Sequence, residues 1–218
     1  MLIVGAYLAS ELSRGFAHST ADTAIGHAHD VVSIEKHVGL FHEAGVQSFA
    51  HSVPGLSTLL GYSYVSLHML VTVGVLAWAY RYHRNAYPLL RNALIVASTI
   101  AVLVYWLFPT APPRLAHVGI ADTVSKATSV DLSSHAIASF YNPFAAVPSM
   151  HIGFAVLVAA TVGMLARRPL VKAIAAAYPI FVLFVIVATG NHFLFDAAAG
   201  AAVAVVAMAL VRPPRSSH

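Results

Sequence analysis

Residues 170–211 read LVKAIAAAYPIFVLFVIVATGNHFLFDAAAGAAVAVVAMALV. Two apolar runs, Leu170 to Thr189 and His192 to Val211, are joined by the corner Gly190-Asn191. Each run reaches the roughly 17–25 residues that a helix needs to cross a bilayer. A helix satisfies its own backbone hydrogen bonds in lipid, whereas an open strand does not. The stretch therefore predicts a helical hairpin in a membrane. Three similar runs precede it: Pro54 to Tyr80, Pro88 to Phe108 and Val147 to Ala166. A sixth, Leu2 to Phe16, is shorter and carries Glu11 and Arg14. A signal peptide is the rival reading there, but the first ten residues lack a basic leader. The expected fold is an all-α integral membrane protein, a six-transmembrane-helix bundle with an interfacial amphipathic helix.

Composition agrees. Of 218 residues, 59% are hydrophobic and only 9% are charged, against about 25% charged in a soluble domain. So little charge cannot coat a water-facing surface. The net charge of +4 is spread as punctuation between apolar runs, which argues against a nucleic-acid partner. The expected partner at this level is the bilayer. There is no cysteine, hence no disulfide framework and no thiolate chemistry.

The loops set the orientation. Arg81, Arg84 and Arg91, then Arg167, Arg168 and Lys172, then Arg212 and Arg215 all fall on one side of a six-span arrangement. The positive-inside rule makes that side cytoplasmic. The opposite segments hold only Lys36, Arg114 and Lys126. The expected organisation is a first span plus external segment over 1–53, a membrane catalytic core over 54–212 and a cytoplasmic tail over 213–218. In the external segment Val31, Ile34, Val38, Phe41 and Val46 recur at helical spacing, as in a helix lying along the membrane surface.

Polar groups that persist in or beside apolar helices are costly to bury and therefore informative. Three clusters stand out, all on the outer side. Phe108-Pro109-Thr110-Ala111-Pro112-Pro113-Arg114 ends the third span. Its prolines stiffen the exit, and its guanidinium can grip a phosphate through two parallel hydrogen bonds; the plainer reading is an arginine among lipid headgroups. Val147-Pro148-Ser149-Met150-His151 starts the fourth span. Ser149 is a candidate helix cap, and free N–H groups at a helix start bind anions. The third cluster holds Asn191, His192 and Asp196. His192 and Asp196 are four apart and share a helix face. A carboxylate on one imidazole nitrogen fixes the tautomer and leaves the other nitrogen as nucleophile or base; a purely structural His–Asp bond is the alternative.

Together these phrases resemble the type 2 phosphatidic acid phosphatase superfamily, whose motifs hold a basic phosphate grip, a Pro-Ser-x-His and a His-x-x-x-Asp. The resemblance covers roughly Tyr62 to Gly200. PTAPPR, AAVPSMH, TGNHFLFDAAAG and the glutamate-bearing IEKHVGLFHEAGVQ look most like the branch related to inositol phosphorylceramide synthases. The resemblance implies that His192 attacks phosphorus and becomes a phosphohistidine, and that Asp196 orients it. It implies that His151 protonates the leaving oxygen and then deprotonates the acceptor, and that Arg114 and the amides near Ser149 bind phosphate. A membrane lipid substrate is implied, and no cofactor and no metal.

Two motifs depart from the phosphatase pattern. Leu107 stands where its first motif has a lysine, and Leu115 follows Arg114 where the motif has proline. Ile186 stands where its third motif has an arginine. Asn191, Asn142 or Tyr141 are candidate neutral donors in their place. The loss of cations favours a transferase over a simple phosphatase. His68, mid-span and beside Tyr64, is a further candidate; both are read as substrate contacts, with a bond to a neighbouring helix as the alternative. The outer histidines, among them His27, His29, His37 and His42, lack the i, i+4 spacing of a helical metal pair. The rival of another class is a channel or transporter, which would need polar residues deeper in the last spans. After Asp196 none precedes Arg212.

Overall fold

The computed structural model describes residues 21–130, 132 and 142–211. The described chain is helical throughout, with α1 Ala21–His37, α2 Glu43–Ser52, α3 Leu56–Tyr82, α4 Tyr87–Leu107, a 3-10 turn Pro113–Leu115, α5 Thr123–Ala127, α6 Met150–Leu165, α7 Pro169–Ala188 and α8 Leu194–Val211. Four of these, α3, α4, α7 and α8, are long and apolar enough to cross a membrane. The expected count of six spans is not reached among the described residues. Helix α6 is apolar but has only 16 residues, because Val147 and Pro148 form a bend and Ser149 is extended, so the helix starts only at Met150. The run Leu2 to Phe16 lies outside the described residues, as do Arg212 and Arg215.

The spans pack through small residues. Ala93 and Ala97 of α4 meet Leu157 of α6 and Ala204 and Ala207 of α8 in one buried cluster. Small side chains let backbones approach closely, which drives helix association where lipid removes the hydrophobic contrast. Large apolar side chains such as Leu70, Leu107, Ile180 and Leu210 are instead exposed along the spans, as a lipid-facing surface requires.

The tightest approach is between α8 and the start of α6. A Cβ placed on Gly200 would collide with the Ser149 carbonyl, and one on Gly153 would stand 3.4 Å from the Gly200 carbonyl. Gly200→Ala should therefore destabilise the protein by about 1–3 kcal/mol, the range for overpacking. It should lower the thermal midpoint in lipid and reduce activity together. An unchanged midpoint would mean that the two helices have room to part.

The surface segment is two helices, not one. Gly39, at φ 71°, ends α1 in the left-handed conformation that glycine adopts without strain. The buried face of α1 is Ala24, Ala28, Val31, Val32 and Glu35; the expected stripe residues Ile34 and Val38 are exposed. In a membrane protein an apolar side chain can face lipid as readily as core, so apolarity alone does not mark the inward face.

The connections at one end of the bundle are tied to each other by backbone hydrogen bonds. Thr110 N–H donates to Phe144 O, and Ala146 N–H donates back to Thr110 O. Ala111 N–H reaches Ala24 O, Arg114 N–H reaches Gly190 O and Ser149 N–H reaches Asp196 O, the last three at 2.9 Å. All three sequence clusters meet there. The arginine-bearing turns at His83–Ala86 and Ala166–Arg168 join the opposite helix ends.

Candidate active site

His192 does not sit on α8 but two residues before it, in a lead-in set by Gly190. Gly190 has φ 73°, and an added Cβ would stand 2.8 Å from Ile120 Cγ2. Only glycine suits both constraints. The N–H groups of Asn191 and His192 then both donate to Ile186 O, at 3.1 and 3.2 Å.

The imidazole of His192 is 5% exposed, and its Nδ1 lies 3.1 Å from Ala146 O and 3.2 Å from Asp196 Oδ2. A carbonyl oxygen only accepts, so Nδ1 carries a proton, and in the neutral ring Nε2 is the nitrogen with the lone pair. Asp196 is wholly buried and also takes the Phe193 N–H, at 2.9 Å. The His192–Asp196 pairing expected from the four-residue spacing is present. It arises from the turn before the helix rather than from a shared helical face.

His151 is the second residue of α6. Its ring stacks on Tyr64 with centroids 4.5 Å apart, and lies 4.1 Å from His68 and 5.5 Å from His192. The tertiary fold thus gathers Tyr64 and His68 of α3 with both motif histidines. The Nδ1 of His68 is buried without a hydrogen-bond partner. Ser149 occupies the N-cap position of α6, but its side chain makes no capping bond. Its Oγ is buried and unpartnered. The cap role expected for that hydroxyl is not filled, and the oxygen remains available to a ligand.

Arg114 shows the same pattern. Its Nε donates to Asn191 Oδ1 at 2.9 Å and its Nη1 to Asp122 Oδ2 at 3.4 Å, with the side chain 3% exposed. Its Nη2 is buried without a partner. Leaving a charged donor buried and unpaired is costly, so an anion at this point would complete the set. Asn191 is not a free donor: its Nδ2 gives hydrogen bonds to Thr189 O and Thr189 Oγ1. Through its Oδ1, Asn191 holds Arg114. Asn142 is half-buried, its Oδ1 taking the Phe144 N–H in a local turn, and Tyr141 lies outside the described residues. Leu107 is 73% exposed and Ile186 is fully buried, so neither position brings a cation to the site.

Sequence reading passed over several residues that assemble the site. Gln47 of α2 donates to Ala121 O at 2.9 Å and accepts the Ala121 N–H at 2.8 Å, pinning the loop that carries Asp122. Tyr105 of α4 donates to Pro148 O at 2.9 Å. Each is a long-range contact with no local signature. Among the described residues no group of three or more His, Cys, Asp or Glu side chains is arranged to hold a metal.

If Arg114 carries the anion, Arg114→Lys should be strongly impaired. One ammonium cannot reproduce the fork or the bond to Asn191. A hydrogen bond to a charged group contributes about 1.5–3 kcal/mol, so kcat/KM should fall by roughly 10- to 100-fold. Wild-type kinetics in that variant would place the phosphate elsewhere.

A family model described as the PAP2 superfamily matches residues 29–210. No curated protein and no solved structure matches the chain. The match begins on α1, ends on α8 and takes in Arg114, Ser149, His151, His192 and Asp196. The chain therefore belongs to the PAP2 superfamily, and with that membership goes an activity of the lipid phosphatase or phosphotransferase type.

Proposed function

We propose that this protein is a membrane lipid phosphotransferase that exchanges phosphodiester headgroups through a phosphohistidine, with its active site on the extracytoplasmic face of the cell membrane. The support is a free imidazole nitrogen on His192 beside three buried, unpartnered polar groups: Arg114 Nη2, Ser149 Oγ and Asp196 Oδ1. Two of the three are donors suited to phosphate oxygens.

In this mechanism the phosphate lies against Arg114, Ser149 and the first-turn amides of α6, which have no intrahelical acceptor. His192 Nε2 attacks phosphorus, and the bond to the leaving oxygen breaks as His151 gives it a proton. The product is a phosphohistidine on His192 and an alcohol. His151, now neutral, takes the proton from the incoming hydroxyl. That oxygen attacks phosphorus, the N–P bond breaks, and His192 regains its lone pair. The Nδ1 proton stays on His192 throughout, held by Ala146 O and Asp196. Tyr64 and His68, in ring contact with His151, contact the substrate and keep that ring in place.

Headgroup exchange is preferred to hydrolysis because two cationic positions of the phosphatase pattern are Leu107 and Ile186. A site with fewer cations is matched to a monoanionic diester better than to a dianionic monoester. The same departure, with the IEKHVGLFHEAGVQ stretch, supports placement near the inositol phosphorylceramide synthase branch. The six-span arrangement, with α6 and the run Leu2 to Phe16 completing the count, puts the arginine-bearing turns inside and the site outside.

One experiment tests both parts. Right-side-out vesicles containing the protein and a labelled phosphodiester lipid are given inositol, or another polar alcohol, on the outside only. The alcohol should enter the lipid product without detergent. Release of only free monoester or inorganic phosphate would sink the transferase reading and leave the hydrolase. Exchange that appears only after detergent opens the vesicles would reverse the orientation.

A further inference from the structure

Two buried acids take no part in the chemistry above. Glu35 of α1 is 2% exposed and Glu43 of α2 is fully buried. Both reach across more than 150 positions of sequence to the first turn of α8. Glu43 Oε1 accepts the Leu194 N–H at 3.0 Å, and Glu35 Oε1 accepts the Phe195 N–H at 2.6 Å. Asp196 Oδ2 accepts the Phe193 N–H just before them. Three consecutive amides at the positive end of a helix dipole are thus occupied by three carboxyl groups of the protein itself. That helix start is closed to substrate, and it directly follows His192.

We propose that Glu35 and Glu43 are positioning residues of the active site, a pair of carboxyl groups that grips the start of α8 from the membrane surface and so fixes where His192 stands. The proposal rests on His192 as the reacting group. The grip joins the two surface helices to the catalytic turn, giving that segment a task beyond lying on the bilayer.

The two carboxyl groups also meet each other. Each has its second oxygen buried with no hydrogen-bond partner, and their first oxygens sit on the amides of adjacent residues, Leu194 and Phe195. Two buried carboxyl groups on adjacent amides share one proton at lower cost than both ionising. Burial, then the hydrogen bond with Glu43, pushes Glu35 up to about 8, against the Phe195 N–H, which lowers it. The charged groups acting on Glu35 are Glu43 from α2 and Asp196 from α8, both acids, with His192 paired to Asp196 behind them. No cation is among them.

The sign follows. Glu35 is protonated in the folded protein up to pH about 8 but ionises near 4.5 when unfolded. Its raised value therefore disfavours the folded state progressively as pH climbs from about 4.5 to about 8. Above that range the carboxylates repel and the grip loosens.

The test uses the full chain in lipid nanodiscs, with thermal midpoint and steady-state kinetics measured from pH 5 to 9.5. Glutamine copies the protonated acid: its carbonyl takes the Phe195 N–H and its amide gives a hydrogen bond to Glu43. Glu35→Gln should keep kcat within about threefold of wild type at pH 7, and its midpoint should lose the fall that wild type shows toward pH 8–9. Glu35→Ala and Glu43→Ala should lower kcat by tenfold or more with KM changed less than threefold. A wild-type midpoint flat from pH 5 to 9.5, or a Glu35→Gln midpoint that falls as wild type does, overturns the shared proton. Folded alanine variants with wild-type kcat overturn the positioning role. If the alanine variants do not fold, Glu35→Gln still decides, through kcat at pH 7 and the shape of its pH profile. If wild type itself shows no turnover, the reading of His192 fails while the midpoints still report on the pair.

Discussion

His192→Ala should reduce turnover to background, a loss of the order of 10⁴–10⁶-fold as for other nucleophile deletions. Its imidazole is the group whose free nitrogen is defined by two acceptors on the other. The folded state should survive, because the corner is held by Gly190 and by backbone bonds to Ile186, and Asp196 keeps the Phe193 N–H. Rapid-quench labelling with a radioactive phosphodiester should show base-stable label on wild type and none on the variant. Full activity in purified His192→Ala would end the nucleophile assignment. Asp196→Asn should be milder than the roughly 10⁴-fold loss seen where a carboxylate alone fixes the tautomer. Here the Ala146 carbonyl also holds the Nδ1 proton.

The second large effect is expected at His151. His151→Ala should cost about 10²–10⁴-fold, the usual contribution of a general acid or base. The deficit should depend on the leaving group. With a headgroup that departs without a proton, such as a nitrophenol, the first step no longer needs His151 but the second still does. Label should then accumulate on His192 and be released slowly. If the variant loses the same factor with good and poor leaving groups and never accumulates label, His151 is not the acid. Loss of the Tyr64 and His68 ring contacts makes His151→Gln a useful companion, since it restores bulk without the titrating ring.

Some of this was legible without coordinates because it depends on near neighbours in the chain. The long apolar runs predict helices, and four of the described helices have span length. His192 and Asp196, four apart, were bound to be near each other whether the turn was helical or not. The motif at Val147 to His151 marked a helix start, since proline and serine belong there. Glu35 was different. It sits in a surface helix whose apolar neighbours Ile34 and Val38 drew attention to the wrong face, and nothing local says that its carboxyl is buried.

What the sequence determined by itself, then, is the long apolar helices and the polar residues carried at their ends. Hydropathy and spacing are properties of adjacent residues, and a bilayer makes them decisive by forbidding unpaired backbone. What only the tertiary structure decided is how those ends are aimed. The free side of His192 depends on the carbonyl of Ala146, 46 positions away. The open valence of Arg114 depends on Asn191 and Asp122 taking its other nitrogens. The start of α8 is closed by acids 151 and 160 positions distant, while Ser149 at the start of α6 is left without a partner. Hydrogen bonds are directional over about 3 Å, so which donor remains unsatisfied is settled by packing between distant segments and leaves no trace in local sequence.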